Sequence, residues 1–205
     1  MPPFAVLHVC MGNICRSPMA ERLLALAVRQ RLATAGWGID PAEVLLSHGA
    51  GTGGWHAGQA MNAPAARQLQ ARGADPSGFA ARKLRTDQID ASDLILTATI
   101  EQAEYVRGLR SDAADRTFVL GECGRLLAQL DGASLPRAAP SPAAIHARGV
   151  ALVAALDALR TGQPPIETDE LDDPYGLDDR YFGQIADQIE ATVRPLARWL
   201  LDSTA

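Results

Sequence analysis

The 205-residue sequence is nearly without lysine: of its 19 basic residues only Lys83 is lysine, and arginine supplies the rest. That bias reflects genome composition and carries no functional information. With a formal net charge of −5 and no basic stripe, the chain lacks what neutralising a nucleic-acid backbone requires, so nucleic acid is not an expected partner. Cysteine is scarce as well. Cys10, Cys15 and Cys123, two of them in one short stretch, do not make a disulfide framework, and a reducing cytoplasm is the expected location. The chain starts Met-Pro-Pro-Phe, without a basic segment followed by a long apolar run, and no apolar run approaches membrane-spanning length. Neither a secretory leader nor a membrane partner is expected. His8, His48, His56 and His146 show no metal-ligand spacing, so no metal or other cofactor is expected. There is no internal repeat.

What is present fits a soluble globular chain: 47% of residues are hydrophobic and 21% charged, and 205 residues suffice for one domain with a substantial core. Residues 4–9 read as a buried strand, and a helix follows from Ser17 to about Leu32. Further strands are expected over 43–47, 93–98 and 117–120. Further helices are expected over 63–72, 100–109, up to Gln129 and from about Asp178 onward, the last bent or interrupted at Pro195. Alternating β and α segments of this length predict an α/β fold, an open four-stranded parallel sheet with helices on both faces. Residues 131–169 read as an insertion in that single domain, 1–205. It holds a proline-rich loop and one alanine-rich helix, packed on the common core through Val150, Leu152, Val153, Leu156 and Leu159.

The densest chemical signal is Cys10-Met11-Gly12-Asn13-Ile14-Cys15-Arg16-Ser17, at the turn from the first strand into the first helix. Backbone N–H groups of such a loop, Met11 to Ser17, can converge on one anion at the positive end of the helix. The same surroundings favour a thiolate at Cys10, and Arg16 supplies a planar fork for two phosphate oxygens. Gly12 and Asn13 tolerate left-handed backbone. Ser17 offers a hydroxyl beside the loop and an N-cap, and Pro18 suits the first helical position. Ligands of open α/β sheets bind at the carboxyl ends of strands, where Cys10 lies.

This loop, with Pro18-Met19-Ala20-Glu21 after it, resembles the phosphate-binding loop of low-molecular-weight protein tyrosine phosphatases. Ala50-Gly51-Thr52 with Trp55 is similar to that family's tryptophan loop, 81–84 and 93–96 to its middle segment, and Asp172-Asp173-Pro174-Tyr175-Gly176 to its general-acid loop. The resemblance implies the same fold and hydrolysis of phosphotyrosine in proteins, with inorganic phosphate or other oxyanions as product or inhibitor. It implies Asp173, directly before proline, as general acid, with Asp172 as its competitor. It also makes Trp55 and Tyr175 the walls of an aryl cleft, with Met11 at the rim. Where the family commonly has serine and histidine this chain has Gly49 and Phe79 or its neighbour. The expectation is that the network supporting Asn13 gives way to apolar packing, with a contribution from Ser47 or His48.

Within this reading Cys10 is the nucleophile, Arg16 and the loop amides hold the phosphoryl oxygens, and Asp173 protonates the leaving group. Cys15 can capture an oxidised Cys10 as a disulfide. Asp169, Glu170, Asp178 and Asp179 read mostly as a solvated acidic surface, and His8 as a hydrogen-bonded core histidine. Two other readings use the same loop. One is an arsenate reductase, which needs further relay cysteines. The other is a catalytically weak phosphate-binding or redox-sensing module.

Overall fold

The computed structural model describes residues 2–202. Four strands form one sheet of order β2-β1-β3-β4, with every pairing parallel. They are β1 (Phe4–Cys10), β2 (Leu45–Gly51), β3 (Leu94–Thr97) and β4 (Thr117–Val119). All seven residues of β1 are buried, as a strand with a neighbour on each side and helices on both faces must be. Its alternation divides the core. Phe4, Val6 and Cys10 enter a large cluster, while Leu7 and Val9 enter a smaller one on the opposite face.

The large cluster is built with α1 (Arg16–Ala35), α2 (Pro41–Val44) and α3 (Ala63–Ala71). The smaller one takes Ile89 from α4 (Thr86–Asp90) and Val106 from α5 (Ile100–Leu109). Three further helices, α6 (Leu120–Leu127), α7 (Pro142–Arg160) and α8 (Asp179–Leu201), join the large cluster. Helix α1 ends at Gly36, whose φ of 66° supplies the left-handed cap.

The second strand lies later than expected. Asp40 accepts the Ala42 N–H and Pro41 opens the helix, so residues 41–44 close one helical turn. The strand runs on through Gly49, Ala50 and Gly51, poor strand formers that are held by pairing with His8, Val9 and Cys10. Helix α8 is continuous through Pro195 rather than interrupted there.

Within 131–169, α7 is capped by Ser141, whose hydroxyl accepts the Ala144 N–H at 3.1 Å. Leu152, Val153 and Leu156 are buried and Leu159 packs at the edge, but Val150 is 47% exposed and faces away from the core. The contact expected of Val150 falls instead to Gly149, against which the Phe4 ring lies so closely that a Cβ would be 2.5 Å from it. Arg148 donates to the Trp199 carbonyl at 2.6 Å and ties α7 to α8. With its 19 residues, α7 is also long and apolar enough, by length and composition, to cross a membrane. Its many alanines hide this from a search for runs of large apolar residues. Here it packs on the core along one face.

Candidate functional site

Strand β1 delivers Cys10 to the carboxyl edge of the sheet, and the chain turns at once into α1. Within this loop Asn13 takes the left-handed conformation, at φ 53°, the only non-glycine residue among those described to do so. Gly12 is absent from the positive-φ set; what it supplies is space. A Cβ there would lie 3.0 Å from the His56 ring. Gly51 is needed for the same reason, since its Cβ would meet the Met11 carbonyl oxygen at 2.7 Å.

The Cys10 sulfur is almost wholly buried, 3.3 Å from the Asn13 N–H and 2.9 Å from Ser17 Oγ. Ser17 Oγ also accepts the Asn13 side-chain N–H at 2.8 Å. With that lone pair used, the one hydroxyl proton of Ser17 is free to point at the sulfur. Ser17 is therefore not the expected cap. Cys15 occupies the N-cap position, the helix begins at Arg16, and Pro18 lies within its first turn.

Asn13 keeps a hydrogen bond on each side of its amide, because the Arg82 backbone N–H donates to its Oδ1 at 2.9 Å. The expected replacement of this network by apolar packing does not occur. Ser47 instead donates to the Glu21 carbonyl and pairs with His8, His48 pairs with Ser92, and Phe79 packs against the core. Behind the loop, the buried Glu21 carboxyl lies where a Cβ on Gly49 would be 3.1 Å away. Burial holds the Glu21 carboxyl above its ordinary range. His8 is the buried, hydrogen-bonded core histidine expected, and burial lowers it to about 3.

Arg16 is 4% exposed. One terminal nitrogen donates to the Leu171 carbonyl at 2.9 Å and the other to Asp173 Oδ2 at 2.8 Å, while Nε is buried with no partner. Asp173 Oδ1 accepts the Tyr175 N–H at 3.1 Å. Asp172 points elsewhere, accepting the Tyr181 hydroxyl at 2.8 Å and raising that phenol. The two neighbouring acids are thus separated by geometry, and Asp173 is the one that reaches the loop.

Of the surrounding acids, Asp178 and Asp179 are exposed as expected, whereas Asp169 is buried and Glu170 half-buried, and all four are hydrogen-bonded. Asp169 is buried and paired twice with Arg125. Glu170 accepts the Ile100 N–H, Asp178 caps α8 and Asp179 pairs with Arg67. They anchor both ends of the segment that carries Asp173.

A cavity of about 340 Å³ opens above Cys10 and is lined by Met11, Gly12, Ile14, Cys15, Arg16, Trp55, His56, Asp173 and Tyr175. The expected Trp55 and Tyr175 are both present and largely exposed at its mouth. Sequence reasoning missed His56. Its ring lies 6.2 Å from both the Trp55 and Tyr175 rings, fixed by a 2.8 Å contact between Nδ1 and Gln59 Oε1. Cys15 lines the cavity as a thiol, pushed up to about 12 chiefly by burial. Cys123, also held up to about 12, is wholly buried in α6 and is not among the residues lining the cavity.

The arrangement presents a cysteine sulfur, a tight loop at a helix N-terminus, a guanidinium and a carboxyl group to one small volume, in a fold with known counterparts. Wzb from Escherichia coli K30 in complex with sulphate superposes with a TM-score of 0.61 over 95% of this chain and 96% of that one, at 20% identity. YwlE arginine phosphatase from Geobacillus stearothermophilus also gives 0.61, over 96% and 92%, at 20% identity. In sequence, low molecular weight protein-tyrosine phosphatase A of Mycobacterium tuberculosis is 38% identical over 112 residues. That match spans 55% of this chain and 63% of the relative. The model of the low molecular weight phosphotyrosine protein phosphatases matches residues 5–126. With more than half of its length matched to that model and its sheet in the same fold, the chain belongs to the low molecular weight phosphotyrosine protein phosphatase family.

Proposed function

We propose that this chain hydrolyses phosphotyrosine in proteins through a cysteinyl-phosphate intermediate. The observation that carries the reading is the convergence of Cys10, Arg16 and Asp173 on one cavity whose mouth is walled by Trp55, His56 and Tyr175. In the first step the Cys10 thiolate attacks phosphorus and the S–P bond forms as the P–O bond to the aryl group breaks. Asp173 gives its proton to the departing oxygen. In the second, water attacks phosphorus, Asp173 takes back a proton, and the S–P bond breaks to release inorganic phosphate and the thiolate. Arg16 and the loop N–H groups hold the equatorial oxygens throughout, donors fixed before the charge develops. None of these steps calls on a cofactor. Cys15, a thiol lining the same cavity, would capture an oxidised nucleophile.

Purified protein is expected to hydrolyse an aryl phosphate in the presence of a chelator, and Cys10→Ser to abolish that activity. An unchanged rate in Cys10→Ser overturns the reading. Phosphoarginine is the competing substrate, because a structural neighbour is an arginine phosphatase. The ring-lined mouth favours the aryl ester, which stacks on flat walls. Paired kinetics on phosphotyrosine and phosphoarginine peptides decide between them. Arsenate reduction is disfavoured by the burial of Cys123, which leaves Cys10 without a second relay thiol beyond Cys15.

A further inference from the structure

Arg16 and Asp173 hold one another at 2.8 Å, and this pairing bears on how the site fires. Arg16 cannot move out of the way: it is 4% exposed, in the first turn of α1, and clamped by the Leu171 carbonyl. Its Nε is buried without a partner, on the guanidinium that must receive an oxyanion. The Asp173 side chain, by contrast, is 44% exposed. A doubly charged oxyanion seated on Arg16 would share that guanidinium with the Asp173 carboxylate, inside a cavity of about 340 Å³. Two anions at such range in a partly desolvated site repel one another strongly.

We propose that Asp173 is a latch on Arg16 as well as the acid, and that the phosphoryl group of the substrate opens it. The incoming dianion takes the guanidinium, and Asp173, deprived of its cation, picks up one proton from solvent and swings free. The group that must donate a proton is thereby loaded only when there is a phosphate to act on. Turnover closes the cycle. Asp173 gives its proton to the aryl oxide, recovers one from the attacking water, and releases it to solvent as it re-pairs with Arg16 and product phosphate departs. The inference rests on the proposed function only in taking the cavity as an oxyanion seat.

Other groups that face Asp173 are few. Cys10 and Cys15 come from the loop and His56 from the segment after β2, while Asp172 is held away on Tyr181. Cys15 is already a thiol. The test therefore uses Cys10→Ser as background, which removes the thiolate from the proton count. The probe is sulfate, which stays a dianion across the working pH range. Calorimetric titration in two buffers of different protonation enthalpy gives both affinity and protons taken up. Cys10→Ser is expected to take up close to one proton per sulfate bound. Adding Asp173→Ala should remove that uptake and tighten sulfate binding by tenfold or more. Asp173→Asn should also remove it, through a side chain of the same size.

Equal or weaker sulfate binding in the Asp173→Ala form, or equal proton uptake with and without Asp173, overturns the latch. Because sulfate binding needs no turnover, the outcome is separable from the proposed activity. Hydrolysis without the affinity change sinks the latch alone, and the affinity change without hydrolysis sinks the activity alone.

Discussion

Asn13 donates its side-chain N–H to Ser17 Oγ at 2.8 Å, which leaves the serine's own proton free for another partner. The nearest partner within its reach is the Cys10 sulfur, 2.9 Å away. A turn residue with φ of 53° thus holds the serine hydroxyl against the cysteine sulfur.

Ser17→Ala breaks this arrangement at both ends, since it removes a donor to the sulfur and strands the Asn13 amide. A hydrogen bond to a charged group contributes about 1.5–3 kcal/mol, which corresponds to roughly 10- to 100-fold in the first chemical step. The expected outcome is that loss in kcat, together with slower alkylation of Cys10 by iodoacetamide at neutral pH. Wild-type alkylation kinetics would remove Ser17 from this role.

Gly51→Ala tests the fit of β2 against the loop. A Cβ would approach the Met11 carbonyl oxygen to 2.7 Å and the Asn13 nitrogen to 3.0 Å, both backbone atoms with no rotamer to yield. Overpacking of this kind typically costs about 1–3 kcal/mol. The variant should melt at lower temperature and bind phosphate more weakly, because the displaced atoms belong to the loop proposed to hold the anion. Loss of stability with unchanged phosphate affinity would show that the loop absorbs the strain elsewhere.

The loop, the first strand and the first helix were legible because every signal there is local. Cysteine, glycine, asparagine and arginine lie within eight residues, between an apolar run and a helical one. The parallel sheet followed from alternation alone. What failed was what depends on distant partners. Asp169 reads as solvated until Arg125, 44 residues earlier, is placed against it. The second strand is misplaced because Gly49, Ala50 and Gly51 pair with β1 against their own propensities. The support of Asn13 is not legible in the sequence because its acceptor role is filled by a backbone N–H, that of Arg82, which no side-chain pattern announces. His56 sits in a glycine-rich stretch with no periodicity, and only its neighbour Trp55 marks the place.

His8 gives the fold a pH dependence of definite sign. Burial lowers its imidazole from 6.5 to about 3, and His48 is lowered to about 4. In the unfolded chain both bind protons near pH 6.5, so between there and their folded values the unfolded state holds more protons. Their contribution to stability is complete above about pH 6.5 and erodes as pH falls toward 3. Glu21 and Glu122, raised by burial, act in the opposite direction, favouring the fold as they become protonated. For His8 alone the loss between pH 7 and pH 5 is about 2 kcal/mol. Urea unfolding of the wild type and His8→Gln at both pH values should show that difference shrinking in the variant. An unchanged pH slope would mean that His8 is not the group responsible.

The division of labour between Asp173 and Arg16 predicts a dependence on the leaving group. A phenolate departing from phenyl phosphate needs a proton, whereas a nitrophenolate leaves readily without one. Asp173→Asn should therefore slow phenyl phosphate by roughly 10²–10⁴-fold, the usual contribution of a positioned acid, and nitrophenyl phosphate far less. Were Asp173 only the acid, phosphate affinity would be nearly intact after this change. The 2.8 Å contact to Arg16 alters that expectation, because losing the carboxylate charge also removes a competitor for the guanidinium. Arg16→Ala should behave differently, damaging binding and rate together on both esters, since it removes the contact to the oxygens themselves. Asp172 provides the control. Its carboxylate is occupied by the Tyr181 hydroxyl outside the cavity, so Asp172→Asn should leave the ratio of the two rates unchanged. Equal losses on both esters in Asp173→Asn, or a leaving-group effect that follows Asp172 instead, would take Asp173 out of the acid's role.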